Sequence, residues 1–147
     1  MRTKKFMLVD DDYDDCQLFA EAVGSVDRTV TCINALDGQE ALEKLKANQV
    51  NRPDLIFLDI NMPVMDGWQF LSSLKASEEL RTIPVIMYST SSLHSDVKAA
   101  MSSGALCFFT KPDSFLTLKG ILQIVVEHME KDSLEEVCDA IKGYGMK

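Results

Sequence analysis

Five short apolar runs punctuate the chain, at residues 6–9, 29–33, 55–58, 85–88 and 106–109. Four are apolar almost throughout, the pattern of strands covered on both faces. The second, Thr29-Val30-Thr31-Cys32-Ile33, mixes polar and apolar positions and reads as an edge strand. Between the runs, apolar positions recur at helical spacing. Leu18, Phe19, Ala22 and Val23 share one face, as do Ala41, Leu42 and Leu45, then Phe70, Leu71 and Leu74. Leu93, Val97, Ala100 and Met101 form a fourth stripe, and Leu118, Ile121, Leu122, Val125 and Met129 a fifth. Asp37 with Glu40 and Asp66 with Gln69 stand at capping-box spacing and mark two helix starts. The order is (βα)₅. Such alternation predicts an α/β, doubly wound parallel sheet with helices on both faces and right-handed crossovers.

The periodicity assigns residues 4–130 to one domain and leaves 131–147 as a C-terminal extension. The first strand begins by residue 6, so no domain is expected ahead of it. The extension is too short for an effector domain. Ser133 and Glu136 could cap a short extra helix there, with Leu134, Val137, Cys138 and Ile141 on one side.

Composition narrows the picture. A chain of 147 residues that is 46% hydrophobic suits one packed core and is too apolar for a disordered segment. No apolar run approaches the roughly 18 residues that cross a bilayer. The basic-then-apolar start has the outline of a signal peptide. Its apolar part stops after four residues at Asp10-Asp11-Asp12, and a cytoplasmic protein is expected. Cys16, Cys32, Cys107 and Cys138 include no C-x-x-C pair, and the chain has two histidines, His94 and His128; the cysteines read as ordinary thiols and the histidines as solvated. A net charge of −8 argues against direct contact with nucleic acid or an anionic membrane.

The acidic residues are clustered where chemistry is expected. In an open parallel sheet, ligands bind at the C-terminal ends of the strands. Strand one ends in Asp10-Asp11-Asp12, strand three in Asp59, strand four in Ser89-Thr90 and strand five in Thr110-Lys111-Pro112. Carboxylates at close range repel one another, so a cluster of them suits a cation. Hard oxygen ligands in small number suit Mg²⁺, which often bridges to phosphate. A carboxylate can also be the nucleophile that forms an aspartyl phosphate. Phosphoryl transfer needs charge neutralisation and positioning, which a metal, a lysine and a hydroxyl supply.

These motifs together resemble the receiver domain of two-component response regulators. The resemblance rests on Val9-Asp10-Asp11-Asp12, on the run from Leu58-Asp59 through Asn61-Met62-Pro63 to Asp66-Gly67, and on Ser89-Thr90, Gly104-Ala105 and Lys111-Pro112. It covers about residues 4 to 130. It implies a flavodoxin-like fold of strand order 2-1-3-4-5 and a signalling switch, not an enzyme. Asp59 would be the phosphoacceptor. Asp11, Asp59 and the backbone carbonyl of Asn61 would ligate Mg²⁺, with Mn²⁺ as a substitute, and Asp10 would hold a metal-bound water. Ser89 and Lys111 would bind phosphoryl oxygens. Phe108 matches the switch aromatic, and is expected to swing inward as Ser89 is drawn to the phosphoryl group. Lys111-Pro112 would be joined by a cis peptide. The donor would be a sensor histidine kinase or a histidine phosphotransfer protein docking on helix one. Output would pass by protein contacts through helix four, strand five and helix five.

Other readings stand beside this one. Asp12 and Asp66 also read as helix caps, and Asp14 and Asp15 as first-turn residues favoured by the helix dipole. Phe108 could be plain core. Asp10-x-Asp12-x-Asp14 with Glu21 approaches a calcium loop, but its sixth position is Asp15 where that loop has glycine. A haloacid-dehalogenase-type phosphatase would use Asp10 as nucleophile, in a larger fold than this chain allows. A pseudo-receiver that is never phosphorylated usually lacks one of the acidic residues or the lysine present here. Two departures from the common receiver pattern are Asp113, where an apolar residue is frequent, and Thr90, where Ala or Gly is frequent. Asn61, Thr90 and Ser91 flank the path of a hydrolytic water and are expected to set the lifetime of the phosphorylated state.

Overall fold

The computed structural model describes residues 4–47, 52–90 and 94–145. Strands β1 (Lys5–Val9), β2 (Thr31–Ala35), β3 (Leu55–Leu58), β4 (Val85–Ser89) and β5 (Cys107–Thr110) alternate with helices. The helices are α1 (Tyr13–Val26), α2 (Gly38–Ala47), α3 (Gly67–Ala76), α4 (His94–Ser102) and α5 (Phe115–Glu130). All strands pair in parallel, in the order β2-β1-β3-β4-β5. This is the doubly wound parallel sheet expected from the alternation, in the flavodoxin-like order that the receiver resemblance implies.

Alternation along each strand sorts the core into two layers. Phe6, Leu8, Phe57 and Tyr88 meet Phe19, Ala22 and Val23 of α1 and Leu118, Leu122 and Val125 of α5. Met7, Val9, Ile56 and Leu58 meet Leu42 and Leu45 of α2, Phe70 and Leu74 of α3 and Ala100 of α4. The first layer is aromatic at its centre, where the Phe19 and Phe57 rings stand edge-on at 4.9 Å.

Several expectations are corrected. Strand β2 starts two residues later than the apolar pattern suggests. The Asp27 carboxylate accepts from the Thr29 N–H at 2.9 Å and from its hydroxyl at 2.6 Å, which holds Thr29 in a turn. Leu18 is 37% exposed and Met101 44%, because the buried faces centre one position away, on Phe19 and on Ala100. His128 is half-buried, with Nδ1 2.8 Å from the Ile124 carbonyl. The Lys111–Pro112 peptide is not cis. The trans bond, the intrinsically favoured isomer, already delivers the Lys111 ammonium to the strand rim. Leu93 lies outside the described residues.

The extension folds back onto the sheet. A 3₁₀ turn (Leu134–Glu136) leads into α6 (Val137–Gly145). Val137 and Ile141 are buried in the first layer beside Cys107, with Leu134 and Cys138 packed against it. Ser133 makes no side-chain cap; its hydroxyl faces the His128 carbonyl at 3.4 Å. A chain reversal intervenes at Asp132, which adopts a left-handed φ of 53°.

Candidate functional site

The strand ends bring the acidic residues together. Asp10 directly follows β1, anchored by its N–H to the Ala35 carbonyl at 2.9 Å. Its side chain turns inward, fully buried, and Oδ1 accepts from the Asp12 N–H at 3.0 Å. Asp59 follows β3, anchored by its N–H to the Val9 carbonyl at 2.9 Å. Its Oδ1 accepts from the Ile60 N–H at 2.8 Å, and the residue is only 7% exposed. Asp11 sits beside them on the exposed surface. Carboxylate oxygens of Asp10, Asp11 and Asp59 all lie within 4.8 Å of one another. An all-oxygen donor set of this density suits a hard divalent cation.

Helix caps fix the approach to the site. Asp12 caps α1 by accepting from the Asp15 N–H. Asp66 forms a complete capping box with Gln69 at the start of α3. Glu40 accepts from Leu36 N–H and donates its own N–H to Asp37, closing the turn before α2. Gly67 lets α3 begin against the acceptor loop. A Cβ there would stand 2.2 Å from the Asp59 carbonyl oxygen, and the Gly67 N–H donates to the Ile60 carbonyl at 2.8 Å.

The positive pole of the site is Lys111. Its backbone N–H donates to the Ser89 carbonyl at 2.7 Å, which ties the end of β5 to the end of β4. Its ammonium lies 2.7 Å from Asp10 Oδ2, 2.7 Å from Asp15 Oδ2 and 3.4 Å from Asp59 Oδ2. It also stands 5.4 Å from the centre of the Tyr88 ring. Among the described residues, Asp10 Oδ2 is met by this ion pair and receives no well-directed hydrogen bond. Burial pushes the Asp10 carboxyl up to about 6, although Lys111 and the Asp12 N–H pull the other way. Burial works against the charge on Lys111, but the bonds to Asp10 and Asp15 win and hold it above the ordinary lysine range.

Of the residues singled out by sequence, Asp10, Asp11, Asp59 and Lys111 converge. Ser89 is fully buried at the end of β4 next to them, while Asn61 and Thr90 are exposed on the rim. Ser91 lies outside the described residues. Phe108 is 8% exposed and sits in the second core layer, paired in register with Met87.

Sequence reasoning missed Asp15 and Tyr88 as neighbours of the lysine. Asp15 had an adequate local explanation in the helix dipole. Only the packing of α1 beside α5, which follows β5 by one short turn, brings it to Lys111.

Residues 6–123 match the family model of the response regulator receiver domain. The response regulator Rcp1 of Synechocystis sp. is 32% identical over 126 residues, 80% of this chain and 86% of that protein. The chain spans 61% of the probable methanogenesis regulatory protein FilR2 of Methanothrix harundinacea, at 35% identity over 95 residues. It spans 36% of a protein-glutamate methylesterase/protein-glutamine glutaminase of Syntrophomonas wolfei, at 34% identity over 133 residues. Among solved structures, the phosphorylated cyanobacterial phytochrome response regulator RcpA is similar with a TM-score of 0.81 and 30% identity, covering 89% of this chain and 96% of that one. The Mn²⁺-bound form of Rcp1 follows at 0.76 and 29%, covering 86% and 94%.

Proposed function

The chain belongs to the response regulator receiver family and is a phosphorylation-activated signalling switch, and from that premise we propose that Asp59 is the side chain that takes the phosphoryl group. The observation that carries this is the convergence at Asp59: the end of a central strand, an ammonium 3.4 Å away, and Asp10 and Asp11 oxygens within 4.8 Å. The donor is a phosphohistidine on a histidine kinase or a histidine phosphotransfer protein. An Asp59 carboxylate oxygen attacks phosphorus. The P–O bond forms as the P–N bond breaks, and the imidazole leaves with the electron pair and takes up a proton.

The surrounding side chains divide the remaining work. Lys111 pairs with one phosphoryl oxygen and the Ser89 hydroxyl donates to another. Asp11, Asp59 and the Asn61 carbonyl would hold Mg²⁺, with Mn²⁺ as a substitute and Asp10 acting through a water. When bound, the ion offsets the charge gathering on the phosphoryl oxygens. Asn61 and Thr90, exposed on the rim, flank the route of hydrolytic water and set the lifetime, a role the sequence pattern extends to Ser91. Ser89 and Phe108 lie on paired strands, so a pull on Ser89 reaches the packed Phe108 ring through the sheet. The signal then passes by protein contact through the α4–β5–α5 face, in the cytoplasm. Among the described residues, no helix is long and apolar enough to cross a membrane.

Incubation with a small acyl phosphate and Mg²⁺ tests the reading. Labelling should require the metal and vanish in Asp59→Asn. Asp11→Asn should weaken Mg²⁺ binding clearly, while Asp12→Asn and Asp14→Asn should leave it near the native value. Loss of binding in Asp14→Asn with none in Asp11→Asn would favour a calcium-type loop and contradict the assignment.

A further inference from the structure

The lysine at this site has one more partner than the phosphoryl chemistry requires. An ammonium has three protons, and three carboxylates surround this one, at 2.7, 2.7 and 3.4 Å. The two short contacts are to Asp10 and Asp15. The long one is to Asp59, the group that changes chemically. Asp10 approaches from the end of β1 and Asp15 from the first turn of α1. Asp10 alone would fix one direction and leave the four-carbon stem free to swivel about it. With Asp15 on a different element, two directions are fixed, and the remaining proton is left for the Asp59 side.

Resting on the assignment of Asp59 above, we propose that Asp15 is a positioning residue that tethers Lys111 for phosphoryl transfer to Asp59. In the resting protein Lys111 spans all three carboxylates. As the phosphoryl group arrives, only the long, weak contact has to be redirected, from the Asp59 oxygen to a phosphoryl oxygen. The Asp10 ion pair and the Asp15 hydrogen bond persist, so the ammonium needs little reorganisation at the moment charge moves. The Asp15 side chain is 33% exposed and its own N–H caps against Asp12; the helix dipole favours a charge at that position, but it does not require the 2.7 Å contact to Lys111.

Charge alone predicts the opposite sign. Asp15 is a negative group close to an incoming anion, and removing it should ease that approach if its only effect were electrostatic repulsion. The direction of the change therefore separates tethering from simple repulsion.

The test uses the full chain with an acyl phosphate and Mg²⁺, following initial rates against donor concentration. Asp15→Asn keeps the shape and removes the charge. Its maximal rate should fall about tenfold, with half-saturating donor concentration and Mg²⁺ affinity each within about twofold of native. Asp15→Glu should recover part of the rate. In a Lys111→Ala background, Asp15→Asn should cause no further loss, because the tether has nothing left to hold. A rate in Asp15→Asn equal to or above native would overturn the proposal, and so would an equal fractional loss with and without Lys111. Labelling that survives in Asp59→Asn would instead overturn the acceptor assignment, and the tether with it.

Discussion

Val64 shows how the acceptor loop carries strain. Its φ is 65°, a left-handed value that a β-branched side chain adopts at a cost, and the Met65 N–H closes a tight turn onto the Pro63 carbonyl at 2.7 Å. The side chain is 81% exposed, so little packing offsets that strain. Val64→Gly should therefore raise stability by roughly 1 kcal/mol, read from the urea midpoint at unchanged slope. Destabilisation would show that the turn is not strained as described. Asp10 offers a second test. Its carboxyl is raised from 3.8 to about 6, chiefly by burial. Between roughly pH 4 and 6 the folded chain holds a proton that the unfolded chain releases. Stability of the metal-free protein should fall as pH rises through that window, with the full cost present above it. In a chelator at pH 7.5, Asp10→Asn should be about 1–3 kcal/mol more stable than native, the lower end reflecting its lost pairing with Lys111. The gain should disappear below pH 4. A constant difference across pH would place the cause elsewhere.

Among the elements, α6 makes the sharpest demand. Ile141 is 3% exposed and Val137 fully buried, in the same layer as Cys107 and Val125. Ile141→Ala should cost about 2–4 kcal/mol, whereas Leu116→Ala, at a position 74% exposed, should stay within about 0.5 kcal/mol. Equal effects would mean that α6 does not share the core. The sequence pattern made the five strands and five main helices legible because strands buried on both faces are continuous apolar runs. It placed β3 at Leu55–Leu58 without error. It set β2 two residues early because an Asp27 side chain, not hydropathy, decides where that strand begins. It foresaw an extra helix near Ile141 but not its burial, which depends on a chain reversal at Asp132. The rim carboxylates and Lys111 were legible because topology alone puts strand ends side by side. Asp15 was not, since its partner lies 96 positions away on another element.

At the scale of the whole molecule, two hydrophobic layers hold a rigid sheet, and the sheet presents its acidic rim at one end. Four carboxylates and one ammonium there leave an excess of negative charge, consistent with a site that works with a divalent cation. Burial keeps Asp10, Ser89 and Lys111 in place before any ligand arrives, so little needs to be ordered during transfer. The central claim is that Asp59 is where the phosphoryl group lands. An aspartyl phosphate is an acyl phosphate, and borohydride reduces it to homoserine while leaving free carboxylates untouched. After labelling with an acyl phosphate and Mg²⁺, reduction and peptide mass spectrometry should find homoserine at position 59 and nowhere else. Homoserine at position 10 or 11, or none at any position in protein that had taken up phosphate, would contradict the account.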